Sequence, residues 1–185
     1  MIDAGSFRGS EQIVLTAGGS AFFDLVVDRL RGPWPGDADV RVVLRSGCYL
    51  THDSGIYERV SPLPTRGGER GFQPAIELWG SVLSRPEPGL ALLGFGKRDV
   101  PFDIDLPVPQ VVRSLGDVRD AAGLLTIREL NDQHAYGRVD PEMTLDVGDL
   151  VRCGLSHPCT AFDKWRVIPV LDDEDRVIDA IATFF

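Results

Sequence analysis

The sequence predicts a mainly β fold, an antiparallel β-barrel or sandwich-like domain preceded by a short N-terminal βα segment. Three observations carry this. Short apolar runs of strand length recur from residue 40 to residue 184, separated by Gly, Pro and Asp turns. Helical periodicity is confined to the region before residue 31, and the closing segment reads as a hairpin. No internal repeat is present.

Taken in order, Ile13-Val14-Leu15-Thr16 is a short strand and Ala17-Gly18-Gly19-Ser20 a glycine turn. A helix over 21–30 follows, with Phe22, Val26 and Leu30 on one face, Phe23 and Val27 beside them, and Ser20 able to cap the first turn. Gly32-Pro33-Trp34-Pro35-Gly36 ends it. Half a βα repeat cannot bury its own apolar faces. The expectation is therefore a homodimer that covers this segment, or a mobile arm.

From residue 39 the period changes. Residues 40–50 read as a long strand bent at Gly47, residues 76–79 continuing to 82–83 as a second, and residues 89–95 as a third. The Pro-, Gly- and Arg-rich stretch 61–71 is an exposed loop. Further strands fall at 123–130 and 135–139, and Asp146-Val147-Gly148-Asp149 turns the chain into Leu150-Val151-Arg152-Cys153. Residues 165–171 and 177–184 flank the acidic turn Asp172-Asp173-Glu174-Asp175, and Pro169 suggests an edge strand or a bulge.

Composition narrows the function classes. With 43% hydrophobic residues in 185, the chain can bury an ordinary core. Its net charge of -9, from 28 acidic and 19 basic residues with no long basic run, speaks against nucleic acid as a partner. Three cysteines, Cys48, Cys153 and Cys159, cannot all pair within the chain, which favours a reducing, cytoplasmic location. Met1-Ile2-Asp3-Ala4-Gly5 lacks a basic region leading into an apolar stretch, and no span approaches the roughly 20 apolar residues that cross a bilayer.

Three groups could carry chemistry. In a strand, His157 and Cys159 would face one side and offer an imidazole and a thiolate to a metal, Zn rather than Mg or Mn. The alternative is a satisfied polar histidine beside a small buried cysteine. Arg45-Ser46-Gly47-Cys48-Tyr49-Leu50-Thr51-His52-Asp53 gathers Arg, Tyr, His and Asp at a strand end, suited to acid–base work or to a carboxylate or phosphate, or else simply solvated. Gly18-Gly19-Ser20 before a helix could cradle an anion or be a plain turn. His134, in Asn131-Asp132-Gln133-His134, is a weaker candidate.

Leu15-Thr16-Ala17-Gly18-Gly19-Ser20, the block 44–53, Gly96-Lys97-Arg98-Asp99-Val100-Pro101-Phe102-Asp103, and Gly148-Asp149 followed by His157-Pro158-Cys159 together resemble the C-terminal part of the D-threonine aldolase and D-serine dehydratase family. The family consists of pyridoxal-phosphate (PLP) enzymes that act on D-hydroxy amino acids. The resemblance implies that residues 1–38 correspond to the last βα portion of an alanine-racemase-like (β/α)8 barrel, and residues 39–185 to the β-rich metal-binding domain. It implies His157 and Cys159 as metal ligands, with the cysteine leaning toward Zn and the dehydratase reaction. Gly18, Gly19 and Ser20 fall in the cofactor-phosphate cradle by the same resemblance, and Tyr49, His52 and Asp53 near the active site. His134 matches a family histidine, although Asp132 and Gln133 depart from the two glutamates that usually precede it.

The only lysines, Lys97 and Lys164, fit no Schiff-base position at the start of a barrel, so the reaction needs a PLP barrel in cis or in trans. The alternatives are D-threonine aldolase-like cleavage and a non-catalytic dimerisation or interaction domain.

Overall fold

The computed structural model describes residues 5–7, 9–34, 39–68 and 70–184. Strand β1 (Ile13–Gly18), helix α1 (Phe23–Leu30) and strand β2 (Val40–Arg45) form a βαβ unit, with β1 and β2 paired in parallel from Ile13 opposite Val40 to Gly18 opposite Arg45. Exposure alternates along both strands. Ile13, Leu15 and Ala17 with Val40, Val42 and Leu44 form the covered set, α1 packs against both strands, and Val14 and Val43 stay exposed on the other face.

Helix α1 begins two residues later than expected, and Ser20 does not cap it; its first turn has no side-chain cap at all. None of its residues is fully buried, and Phe22, Leu25 and Val27 are exposed. Gly32 takes a positive φ of +89° just beyond the helix, while Pro35, Gly36 and the first four residues lie outside the described residues.

The strand expected over 40–50 stops at Arg45. Ser46-Gly47 turns the chain into two short helices, α2 (Cys48–Thr51) and α3 (Ile56–Val60). Asp53 explains the second: its Oδ1 accepts the N–H groups of Gly55 (3.0 Å) and Tyr57 (2.8 Å), an arrangement that closes a helical turn rather than extending a strand.

The remaining core is a seven-stranded sheet: β3 (Glu77–Glu87), β4 (Leu90–Leu93), β5 (Val108–Ser114), β6 (Asp117–Asp120), β7 (Leu125–Leu130), β8 (Ala135–Val139) and β9 (Leu150–Gly154). Its order is β6-β5-β9-β3-β4-β8-β7 and every pairing is antiparallel. β3 pairs with β9 over residues 77–81 and with β4 from Val82 onward, so one long strand serves both halves. The sheet curls until β5 touches β7, a half-barrel that agrees with the expected mainly β architecture.

Val82, Leu93, Phe95, Val112, Leu125 and Val151 fill its interior, each at most 2% exposed. Gly80 admits the Phe95 ring, because a Cβ there would lie 2.4 Å from it. β5 and β6 escape the sequence reading because of Pro107 and Pro109. β6 pairs only with Val111 to Ser114, so Pro109 sits where β5 is bonded on one side, at a register shift against β9.

The hairpin of β10 (Val167–Leu171) and β11 (Val177–Ala182) forms as expected, with its irregularity between Val170 and Leu171, just past Pro169. Asp172 organises the acidic turn by accepting the N–H groups of Glu174 and Arg176. Asp175 pairs with Arg113, whose guanidinium lies 5.0 Å over the Trp79 ring, tying the hairpin to the sheet. No helix among the described residues is long and apolar enough to cross a membrane.

Candidate metal and cofactor site

Three distant segments meet at one end of the sheet: 51–59 around α2 and α3, 101–105 before β5, and 154–160 after β9. Two glycines allow the approach. A Cβ on Gly154 would lie 2.2 Å from the Ser54 hydroxyl, and one on Gly55 2.5 Å from Ser156. The Ser54 N–H donates to the Leu155 carbonyl at 2.8 Å, and Ser156 Oγ donates to Asp105 Oδ2 at 2.8 Å.

Asp53 is the clasp. It is fully buried, and besides Gly55 and Tyr57 it accepts the His157 N–H on Oδ2 at 2.8 Å. Three main-chain donors occupy its two oxygens, so the carboxylate holds backbone together rather than facing solvent.

His157 does not lie in a strand, as its spacing from Cys159 suggested. It adopts a left-handed conformation (φ +63°) and leads into a single 3₁₀ turn, Pro158–Thr160, so strand alternation does not govern where its side chain and that of Cys159 point. The His157 ring is held instead by Asp103, with Nδ1 2.5 Å from Oδ2, while Thr160 Oγ1 donates to the other Asp103 oxygen at 3.1 Å. Burial alone would raise the Asp103 carboxyl, but the His157 hydrogen bond, its own N–H and Thr160 outweigh this and hold it below the ordinary carboxylate range.

Asp105, bonded by Arg59 at 2.8 Å, is lowered chiefly by that contact. Asp103 carried no site assignment in the sequence. It stood within a resembling stretch, but 54 residues separate it from His157 and no spacing rule joins them.

Cys48 and Cys159 also converge, with their sulfurs 2.9 Å apart. Cys159 is exposed and Cys48 half-buried; burial, then the neighbouring Cys48, pushes the Cys159 thiol up to about 11. Burial and Cys48 likewise push the Tyr57 phenol up.

Tyr49 packs in an aromatic cluster with Phe23 and Phe72, at ring-centroid distances of 5.3 and 5.6 Å. His52 meets the Phe72 ring edge-on at 6.2 Å and is 3% exposed, and neither of its ring nitrogens has a hydrogen-bond partner among the described residues. These contacts, with Arg66 bridging to Asp24, anchor the βα segment within its own chain. Gly18 and Gly19 are exposed at the end of β1, with Gly19 at φ +112°. His134 lines an open polar depression with Lys97, Asn131, Asp132 and Gln133, and no hydrogen bond among the described residues joins it to His157.

Among the described residues, no three His, Cys, Asp or Glu side chains are disposed to hold a metal ion. A closed structural site is thus absent from them. An open site with two protein donors remains compatible with the residues present, since Asp103 takes only Nδ1 of His157 and leaves Nε2 as a donor.

A half-barrel of antiparallel strands flanked by a βαβ unit defines a β-rich fold, and solved structures share it. The D-threonine aldolase of Filomicrobium marinum overlaps with a TM-score of 0.66 at 20% identity, covering 90% of this chain and 40% of that one. The D-threo-3-hydroxyaspartate dehydratase of Delftia sp. HT23 gives 0.51 at 15% identity, covering 81% and 40%. An alanine racemase-like protein of Idiomarina loihiensis gives 0.57 at 15%, covering 93% and 43%. The chain spans about two fifths of the length of each. No curated protein matches it in sequence. Residues 75–171 match the family described as "Putative serine dehydratase domain", and the chain belongs to that family.

Proposed function

We propose that this chain is the metal-carrying domain of a PLP-dependent lyase for D-hydroxy amino acids, acting by D-serine dehydratase-like β-elimination. The observation that supports it most is the way His157 is held. Asp103 grips Nδ1 and Asp53 the main chain, which leaves Nε2 without a hydrogen-bond partner among the described residues, two residues before the accessible thiol of Cys159. A carboxylate on one ring nitrogen fixes the tautomer and makes the other nitrogen a better ligand.

One imidazole and one thiolate suit Zn and leave coordination positions open for substrate. Zn would supply a Lewis acid for the departing β-hydroxyl, and PLP an electron sink for the α-carbon. Gly18, Gly19 and Ser20 would hold the cofactor phosphate, since Gly19 opens the backbone and the first amides of α1 carry no side-chain cap. Tyr49 and His52 line the approach, and Asp53 is a positioning residue.

In this reading residues 1–38 stem from the last βα portion of a barrel and 39–185 form the metal domain, with β2 reaching back to β1. The barrel that bears the cofactor lysine acts in cis or in trans against the open face of β1 and β2, where Val14 and Val43 are exposed. The assembly is a cytoplasmic homodimer. Retro-aldol cleavage is the second reading, favoured by the larger overlap with the D-threonine aldolase.

Metal analysis of the chain purified without chelator tests the site. Roughly one Zn per chain is expected, lost in His157→Ala and Cys159→Ala and bound ~10–100-fold more weakly in Asp103→Asn. Wild-type protein that takes up no Zn would sink the reading. With a barrel supplied, keto acid plus ammonia identifies elimination, and glycine plus an aldehyde identifies the aldol route.

A further inference from the structure

Cys48 opens α2 and Cys159 lies in the 3₁₀ turn, 111 residues further on, yet their sulfurs stand 2.9 Å apart. Both segments are fastened independently of this contact. The His52 N–H bonds the Cys48 carbonyl at 2.8 Å, the His157 N–H is held by Asp53, and the Ala161 N–H closes the turn on Pro158. The thiols are therefore presented to each other by the fold, and the exposure of Cys159 lets small oxidants reach the pair. Cys153, in β9, is completely buried and serves as an internal reference.

We infer that Cys48 and Cys159 form a modification site, a reversible disulfide that competes with metal for the Cys159 sulfur. Hydrogen peroxide is the class of oxidant that fits. One thiol, as its thiolate, attacks the peroxide and breaks the O–O bond, giving a sulfenic acid and water. The other sulfur then displaces the sulfenic oxygen as a second water and forms the S–S bond. Two thiols lose two hydrogens and two electrons, and one peroxide becomes two waters. A sulfur in that bond is no longer a thiolate, so the linked chain lacks one of its two metal donors, and a metal-bound Cys159 cannot link. The link rests on the geometry of the thiols; the competition rests on the metal reading above.

The test uses the full chain, reduced, treated with chelator and then exposed to hydrogen peroxide. Peptide mapping should find an intrachain Cys48–Cys159 link that dithiothreitol reverses, with Cys153 still a thiol. In Cys48→Ser and Cys48→Ala the same treatment should instead drive Cys159 to sulfinic acid. Sulfinic acid or intermolecular dimers in the wild type, without the intrachain link, would overturn the proposal.

A second arm adds Zn at ~100 times its measured Kd, where about 1% of sites are free and linking should slow ~100-fold. Linking at an unchanged rate with Zn bound would overturn the competition and the ligand role of Cys159, and leave the disulfide standing. Failure of the first arm alone would leave the metal reading intact.

Discussion

The curled sheet and the βαβ unit are built on opposite principles. The sheet closes around side chains with almost no exposed surface, among them Leu93, Val112 and Val151, and its strands β4, β8 and β9 are bonded to a neighbour on each side. Among its described residues the βαβ unit has one buried hydrophobic side chain, Ile13, and its helix has none. It is held by the Phe23, Tyr49 and Phe72 rings and by Arg66 on Asp24. Dry packing makes the sheet self-sufficient, whereas polar and aromatic contacts only moor the βαβ unit to it.

Four substitutions bear on this contrast. Leu93→Ala, at 0% exposure, should cost about 2–5 kcal/mol and lower the midpoint of the whole chain in denaturant. A loss confined to part of the chain would show that the sheet is not the cooperative unit.

Asp149→Ala tests a polar knot under the sheet, where Ser114, Arg119 and the Asp146 N–H converge on a carboxylate 7% exposed; about 2–3 kcal/mol is expected. Burial would raise the Asp149 carboxyl, but Ser114, the Asp146 N–H and Arg119 hold it below its ordinary value. Its folded pKa is thus lower than its unfolded one, so its contribution is complete above the ordinary carboxylate range and fades as pH falls through it. The gap between wild type and variant should narrow in acid. A constant gap would mean that the charge is not what stabilises.

Asp53→Asn, at the seam, keeps one acceptor oxygen but sets an NH2 donor against at least one of the three N–H groups, at about 2 kcal/mol. Hydrogen exchange should quicken first at residues 55–57 and 157, with the sheet amides slower to respond. Uniform loss would make the clasp part of the global core.

Asp24→Asn should have the smallest effect, faster exchange in α1 with no shift in the midpoint of the sheet. Arg66 holds the Asp24 carboxyl down to about 2, so in wild type this mooring should persist as pH falls below 4 and loosen on the way to 2. An α1 that exchanges no faster in the variant would show that the aromatic cluster alone suffices.

The strands of the sheet interior were legible because their alternation survives in sequence, as in β7, β8 and β9. β5 was hidden by a proline tolerated only through a register shift. Residues 46–51 look like more strand by composition but turn into the short helix α2. At the site, His157 and Cys159 could be named from their motif, but the strand geometry inferred for them fails at the left-handed His157. Asp103 and the Cys48–Cys159 contact depend on segments that meet only in the fold. Periodicity describes neighbours along a chain, and these partners lie 54 and 111 residues apart.

The backbone of His157 sets two demands against each other. Its φ of +63° is one that glycine adopts without steric cost, and that costs an L-residue about 1–2 kcal/mol. Glycine there would keep the N–H bond to Asp53 and lose only the ring. A mutagenised pool selected for thermal persistence should therefore drift toward glycine at 157, while one selected for metal retention should keep histidine. The residue that each pool settles on would report what the position is for.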